Sequence, residues 1–120
     1  MKLQPVQTEG QNIFTAYGEG YVSINASRYS NNLIVLPDRL IPEWTAACFE
    51  TLGVADFEFL ASLESRIIIL GTGHLLRFPR PELIRPLIQA QKGLEVMDIQ
   101  AACRTYNILI SEGRQAAAAL

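Results

Sequence analysis

The residues best suited to chemistry form the segment Gly71-Thr72-Gly73-His74, which follows a run of isoleucines. Two glycines at the end of a strand let backbone N–H groups approach a ligand closely, as in the loops that bind dinucleotides. The third glycine of that fingerprint is absent, because position 76 is Leu76 and Pro79 follows soon after. Close packing at the end of the strand is the alternative explanation, and the spacing favours it.

A second group of candidate residues follows the next apolar strand, at Met97-Asp98 and along the helix beyond it. The first N–H groups of that helix carry partial positive charge, and Arg77 and Arg104 are cations that suit a carboxylate or a phosphate. Each residue also has a structural explanation: Asp98 as a helix cap, Arg104 as a surface residue or a partner of Asp98, and Arg77 as an outward-facing residue. If the two strands are parallel neighbours, their loops open at one edge of the sheet, where α/β sheets bind ligands. The predicted pocket comprises Gly71, Thr72, Gly73, His74, Arg77, Met97, Asp98, Arg104 and Asn107.

The sequence gives little support for catalysis or for a bound metal. His74 is the only histidine, and no cluster of cysteine and acidic residues has the spacing of metal ligands. A Cys–His nucleophile would require His74 to meet Cys48 or Cys103, and we expect both thiols to be buried and inert. There is no GxSxG elbow and no paired-carboxylate motif. We predict no cofactor and no metal, and the balance is against an enzyme.

Composition excludes several classes of partner. Ten Lys+Arg against twelve Asp+Glu give a net charge of −2, without the positive surplus that binding to nucleic acid or to an anionic membrane requires. No apolar run approaches the ~20 residues of a membrane span, and the first residues resemble neither a signal peptide nor a transit peptide. Two cysteines outside a CxxC pattern are typical of a reducing compartment, so we expect a cytoplasmic location.

Residues 51–120 alternate between helix and strand patterns. Asp56 is a candidate cap for a first helix, and Arg66–Leu70 reads as a strand covered on both faces. A second helix is predicted from about Pro79 to Gln91, with a kink or a late start at Pro86. A strand at 94–97 follows.

The clearest helix is predicted to begin after Asp98 and to end at Gly113, before a last strand at 114–120. Its apolar residues fall on one stripe. These are Ile99, Ala102, Cys103, Tyr106, Leu109 and Ile110. Gln100, Arg104, Asn107 and Ser111 are expected on another face.

Residues 1–50 read as β structure. Short strands flank the turn Gly18-Glu19-Gly20, which predicts a hairpin, and further strands are predicted at Leu33–Leu36 and Trp44–Phe49. The chain is 49% apolar and only 18% charged, against roughly 25% in average domains, which predicts one well-filled core. The expected fold is a single three-layer α/β domain over residues 1–120, with a mixed, mostly parallel central sheet and an N-terminal β-hairpin or β-layer.

Two longer segments, Ile69–Pro79 and Gly93–Arg114, are more specific than the glycine spacing alone. With the turn near Tyr17–Tyr21 and the strand at 33–37, they resemble the family of the mitochondrial complex I (NADH:ubiquinone oxidoreductase) assembly factor 3 and its small prokaryotic relatives. The motif positions are Gly71, Thr72, Gly73, Arg77, Met97, Asp98, Cys103, Arg104, Thr105, Tyr106 and Asn107. The resemblance implies a compact three-layer α/β domain and no established enzyme activity. It also implies action through protein partners in the mitochondrial members.

Three functions follow as expectations. The first is a non-catalytic protein-interaction or assembly module, which predicts an exposed apolar patch for a partner. The second is a small-molecule binding protein or enzyme that takes an anion in the predicted pocket. The third is a structural subunit of a homo-oligomer.

Overall fold

The computed structural model describes residues 10–45 and 48–120, and over these residues it contains eight strands and three α-helices. The strands are β1 (Phe14–Gly18), β2 (Tyr21–Ile24), β3 (Ser27–Tyr29), β4 (Leu33–Leu36), β5 (Arg39–Pro42), β6 (Ile67–Gly71), β7 (Gly93–Met97) and β8 (Ala116–Ala119). The helices are α1 (Val54–Ala61), α2 (Arg85–Gln89) and α3 (Ile99–Ser111), and short 3₁₀ turns occur at Phe49–Thr51 and Pro81–Leu83.

The central sheet is mixed and has the strand order β5-β4-β8-β6-β7. β6 pairs in parallel with β7 and β8, whereas β4 pairs antiparallel with β5 and β8. The four alanines of β8 are all fully buried, because this strand lies in the middle of the sheet with side chains packed against both faces. Gly71 is in register with Met97, so the loops after β6 and β7 open at one edge, as the sequence predicts.

Two further layers cover the faces of this sheet and complete the predicted three-layer fold. Ile69 belongs to a core shared with α3 and with a small antiparallel sheet of order β1-β2-β3. Ile68 belongs to a second core formed with α1 and α2. Neighbouring residues of a strand point to opposite faces, so one isoleucine run fills both cores. The small sheet contains the predicted hairpin, with Gly18 opposite Tyr21.

The predicted strand at Trp44–Phe49 is wrong over its described residues, and Ala46 and Ala47 lie outside them. The strand in this region is β5, at Arg39–Pro42, and a 3₁₀ turn begins at Phe49. Trp44 and Phe49 are single anchors packed against the second core rather than members of an alternating strand. The indole Nε1 of Trp44 donates a hydrogen bond to the carbonyl of Leu120 at 3.3 Å.

The first two helices begin at different residues from those predicted. Helix α1 begins after Gly53, so Asp56 is not the cap residue; its Oδ2 accepts from the Gly53 N–H at 2.9 Å. A carboxylate in the first turn reaches back to the cap in this way. The helix predicted to run to Gln91 is divided into a 3₁₀ turn and α2. Pro86 occupies the second position of α2, where its missing N–H is not needed, so the late start is confirmed.

Helix α3 begins and ends as predicted, but one residue predicted on its polar face is buried. Asp98 caps it through a 2.8 Å hydrogen bond from Ala101 N–H, and Gly113 follows it with φ of +76°. Asn107, expected on a polar face, is buried with 7% of its surface exposed. The reason is that β1 covers this side of the helix, so the buried surface of α3 is wider than its apolar stripe.

Candidate functional site

Thr72 is the residue that joins the two predicted loops. Its backbone N–H donates to the carbonyl of Met97 at 2.8 Å. Its buried hydroxyl lies 2.7 Å from the carbonyl of Leu75 and 3.2 Å from that of Met97, and it accepts from the N–H of Arg77 at 3.2 Å. With its hydroxyl engaged at both ends of the turn, Thr72 fixes the loop after β6.

The two glycines of this loop have different structural roles. A Cβ on Gly71 would lie 2.6 Å from Cδ2 of Leu120 and 3.3 Å from Cβ of Ala102, so a side chain here would make the end of the Leu120 side chain shift. Gly73 has φ of +83° in open space, so its requirement is conformational. Its carbonyl accepts from Ile99 N–H at 2.6 Å, which links the loop to the start of α3. Close packing therefore applies to Gly71 alone, whereas Gly73 supplies the backbone conformation of the turn.

A cleft of about 580 Å³ lies between the small sheet and this loop. Three members of the predicted pocket line it, namely Gly73, His74 and Asp98. Its opposite wall consists of three tyrosines that are not among the predicted pocket residues: Tyr17, Tyr21 and Tyr29, one from each strand of the small sheet. The signal available in the sequence was the pair of tyrosines flanking the predicted turn. The volume falls in the range of small-molecule sites.

Arg77 lies apart from this cleft, beside a smaller pocket of about 230 Å³. Its guanidinium pairs with Glu50, lies 4.6 Å from the centre of the Phe49 ring, and donates to the Thr72 carbonyl at 3.4 Å. The carboxyl of Glu50 has a pKa below its ordinary value because of hydrogen bonds from its backbone and from Cys48, with the charge of Arg77 adding to them. Arg77 thus holds the loop against the 3₁₀ turn that begins at Phe49.

The remaining predicted residues lie at other places. Met97 contributes backbone, through its carbonyl, to the bonds of Thr72. Arg104 is exposed on α3, and with the Gln100 amide oriented to suit its neighbours, Gln100 Oε1 accepts from Arg104 at 2.8 Å and from the Tyr17 hydroxyl at 3.1 Å. Asn107 is bonded to β1 within the core. Arg77 and Arg104 therefore do not share a cavity.

The two thiols have different environments. Cys103 is fully buried, and burial raises the pKa of its thiol to about 12, which keeps it protonated and unreactive. Cys48 is exposed, so the prediction of two buried thiols is wrong for this residue. Its position at the start of the 3₁₀ turn, with Sγ 3.5 Å from Thr51 Oγ1, places it at the surface. Within residues 10–45 and 48–120, no group of three or more His, Cys, Asp or Glu side chains could hold a metal ion.

The loop that Thr72 and Arg77 fix displays apolar side chains to solvent. Leu75, Leu76 and Phe78 are 62%, 52% and 68% exposed. We call residues 75–78 the apolar loop. Large apolar side chains are buried more often than exposed, so three of them on one hydrogen-bonded loop form a distinctive feature of the surface.

Comparison with known proteins places the fold in a recognised group. A family described as "Protein of unknown function (DUF498/DUF598)" matches residues 14–120. The chain belongs to this family. A Bordetella parapertussis crystal structure has a TM-score of 0.85 and 34% identity, and the match covers 95% of this chain and 98% of that one. A Bordetella pertussis solution structure described as a Mth938-like domain has a TM-score of 0.78 and 30% identity, with 100% and 91% of the two chains covered.

Named relatives of this family member include assembly factors, which confirms the resemblance inferred from the sequence. The bovine "NADH dehydrogenase [ubiquinone] 1 alpha subcomplex assembly factor 3" is 31% identical over 84% of this chain, which spans 55% of the bovine protein. The "13 kDa major membrane protein" of Francisella tularensis is 25% identical, with 95% of this chain and 94% of that protein covered. Over residues 10–45 and 48–120, this chain has no helix that is both long and apolar enough to cross a membrane.

Proposed function

We propose that this protein is a non-catalytic interaction module of the assembly-factor type, which binds a protein subunit through the apolar loop. The observation that carries the proposal is the exposure of Leu75, Leu76 and Phe78 on a loop fixed by Thr72 and Arg77. A fixed loop loses little conformational entropy on binding, so more of its burial energy contributes to affinity.

The partner proposed is a protein with an apolar groove. Full burial of a large apolar side chain contributes roughly 1.5–3 kcal/mol, so the three side chains together suffice as the central cluster of a specific interface. The names of the bovine and other relatives support a partner that is a subunit of a larger complex during its assembly.

The test compares two triple variants of the tagged protein expressed in the cells that encode it. One carries Leu75→Ser, Leu76→Ser and Phe78→Ser. The matched control carries serine at Val54, Ile88 and Ile108, which are also exposed but lie on the three helices. After cross-linking and purification, the proposal expects one or a few subunits of a complex in stoichiometric yield.

We expect to recover these subunits with the wild type and with the control. Their yield should fall at least about tenfold with the loop variant, which corresponds to ~1.4 kcal/mol of binding free energy. Equal recovery with the loop variant, or recovery of no stoichiometric subunit with the wild type, contradicts the proposal. Light scattering on the same samples tests the homo-oligomer expectation, because self-association through this loop would appear as a dimer that the loop variant loses.

We propose a cytoplasmic location and a single domain over residues 1–120. Both cysteines are free thiols, which is typical of a reducing compartment. The name of the Francisella relative makes fractionation the appropriate test. The cytoplasmic proposal is contradicted if both the wild type and the loop variant are recovered in the washed membrane fraction. The single-domain proposal is contradicted if limited proteolysis releases a stable fragment shorter than residues 14–120, which the family matches.

A second candidate function is small-molecule binding in the 580 Å³ cleft. The observation in its favour is a concave site built from several tyrosines together with the polar groups of Asp98 and His74. The expectation of an anion rested on Arg77 and Arg104, and neither is among the residues that line the cleft over the described part of the chain. A ligand screen followed by chemical shifts of the amides of Gly73 and Tyr21 tests this function, and the absence of any shift contradicts it.

A further inference from the structure

We propose that the cleft binds an organic cation, an ammonium or guanidinium group, seated between the tyrosine wall and two carboxylates. This inference rests on the second candidate function, small-molecule binding, and names the class of ligand. The residues that carry it are Tyr17, Tyr21, Tyr29, Glu19 and Asp98.

The charge of the lining is the first argument. Glu19 and Asp98 contribute two carboxylates, and over residues 10–45 and 48–120 no lysine or arginine lines the cleft. The Asp98 cap uses Oδ1 for the N–H of Ala101. An anion entering the cleft would therefore meet two acidic side chains and no lysine or arginine among the described residues that line it.

The aromatic wall is the second argument. Tyrosine rings attract cations to their faces, and grouped rings are the usual receptor for ammonium ligands. The guanidinium of Arg28 lies over the Tyr21 ring, 3.9 Å from its centre, so one face of this ring already carries a cation and a ligand would use the remaining aromatic surface of the wall. Tyr17 is held in place at its hydroxyl by Gln100, so this part of the wall is preorganised.

The cation could come from a free amine or from a lysine side chain of a protein, and the shared chemistry is the ammonium group. The first arm of the experiment uses three ligands with one aromatic body: phenethylamine, phenethyl alcohol and phenylacetate. The second arm uses the capped peptide Gly-Lys-Gly. Amide chemical shifts of Gly73, Tyr17 and Tyr21 in the full chain report binding at the cleft.

The decisive variant combines Glu19→Gln with Asp98→Asn. Asparagine caps helices as well as aspartate does, so this variant removes the charges while retaining the start of α3. The matched control is Glu112→Gln, which removes a charge at the opposite end of the same helix. We expect phenethylamine, the lysine peptide or both to bind, and affinity to fall about fivefold per carboxylate removed in the cleft, with no change in the control.

The outcomes separate the two proposals. Binding of phenylacetate or phenethyl alcohol as tightly as the amine overturns the cation proposal and leaves small-molecule binding standing. Amine binding that the double variant does not weaken also overturns it. Absence of binding by every ligand and by the peptide at millimolar concentration overturns the cation proposal and leaves the small-molecule function to the wider screen.

Discussion

Replacing Asn107 tests whether this buried residue joins α3 to the small sheet. Its Oδ1 accepts from the N–H of Phe14 at 2.9 Å, and its Nδ2 donates to the carbonyl of Phe14 at 2.8 Å. The two hydrogen bonds join α3 to the first strand of the small sheet, at the bulge between Phe14 and Ala16. That strand carries Tyr17, so Asn107 supports one wall of the cleft.

The expected cost of Asn107→Leu follows from the groups that it leaves behind. Phe14 has no exposed surface, so its N–H and its carbonyl would lose their Asn107 partner in a place that water does not reach. A buried polar group left unsatisfied costs about 1–3 kcal/mol, so the two together give a loss of about 2–6 kcal/mol in the free energy of unfolding. Native stability is typically only 5–15 kcal/mol, so this loss is large.

Asn107→Asp provides a pH signature that simple loss of packing does not produce. An ionised carboxylate still accepts from the Phe14 N–H but places its second oxygen against the Phe14 carbonyl. Protonation restores a donor, so the folded-state pKa of this carboxyl should lie above the unfolded value of about 3.9. The stability gap between the variant and the wild type should therefore narrow as the pH falls from the folded-state pKa to the unfolded value, and it should stay constant below that value.

Urea unfolding followed by circular dichroism measures all of these changes. The matched control is Asn31→Leu, the same replacement at an exposed position, which should change the free energy of unfolding by less than about 0.5 kcal/mol. A loss below about 1 kcal/mol for Asn107→Leu, or a gap for Asn107→Asp that does not change with pH, would refute the account of Asn107 as the bridge between α3 and the small sheet.

Three further predictions use the same unfolding assay. Gly71→Ala should cost less than about 1 kcal/mol, because the new Cβ would meet Cδ2 of Leu120 at 2.6 Å and the end of this flexible side chain can move aside; a loss above about 2 kcal/mol would mean that Leu120 is fixed in place. Lys92→Met should cost about 1–2 kcal/mol by leaving the carbonyl of Ser65 without the Nζ donor now 2.8 Å away, and a value near zero would show that water replaces it. The thiol of Cys103 has its pKa raised by burial from 9.0 to about 12, so its contribution to stability is fully present below pH 9 and is lost above it, at up to ~1.4 kcal/mol per pH unit. Cys103→Ala should reduce that alkaline slope, and an unchanged slope would contradict the assignment.

Local sequence patterns were sufficient for several elements of the fold. A run of β-branched residues at 67–69 is typical of a strand that is covered on both faces, and the structure places β6 at these residues. Asp98 and Gly113 bound α3 because capping depends on the backbone within a few residues. The turn at Gly18–Gly20 is equally local. The two segments that resemble the assembly-factor family also lie in these regions.

Tertiary structure decided which surfaces meet, and therefore where the candidate sites lie. A helical wheel places Asn107 beside Arg104. Only Asn107 is covered by β1, because it bonds to Phe14 of that strand, which lies 93 residues away in the sequence. The cleft arises in the same way, because its tyrosines come from the small sheet and its acidic wall from the start of α3. Leu75 and Phe78 are apolar and would be expected inside, yet the hydrogen bonds of Thr72 hold their loop outward. Local propensities depend on neighbours in sequence, whereas burial depends on distant segments that compete for the same surface, so the sequence alone predicts the elements but not the sites between them.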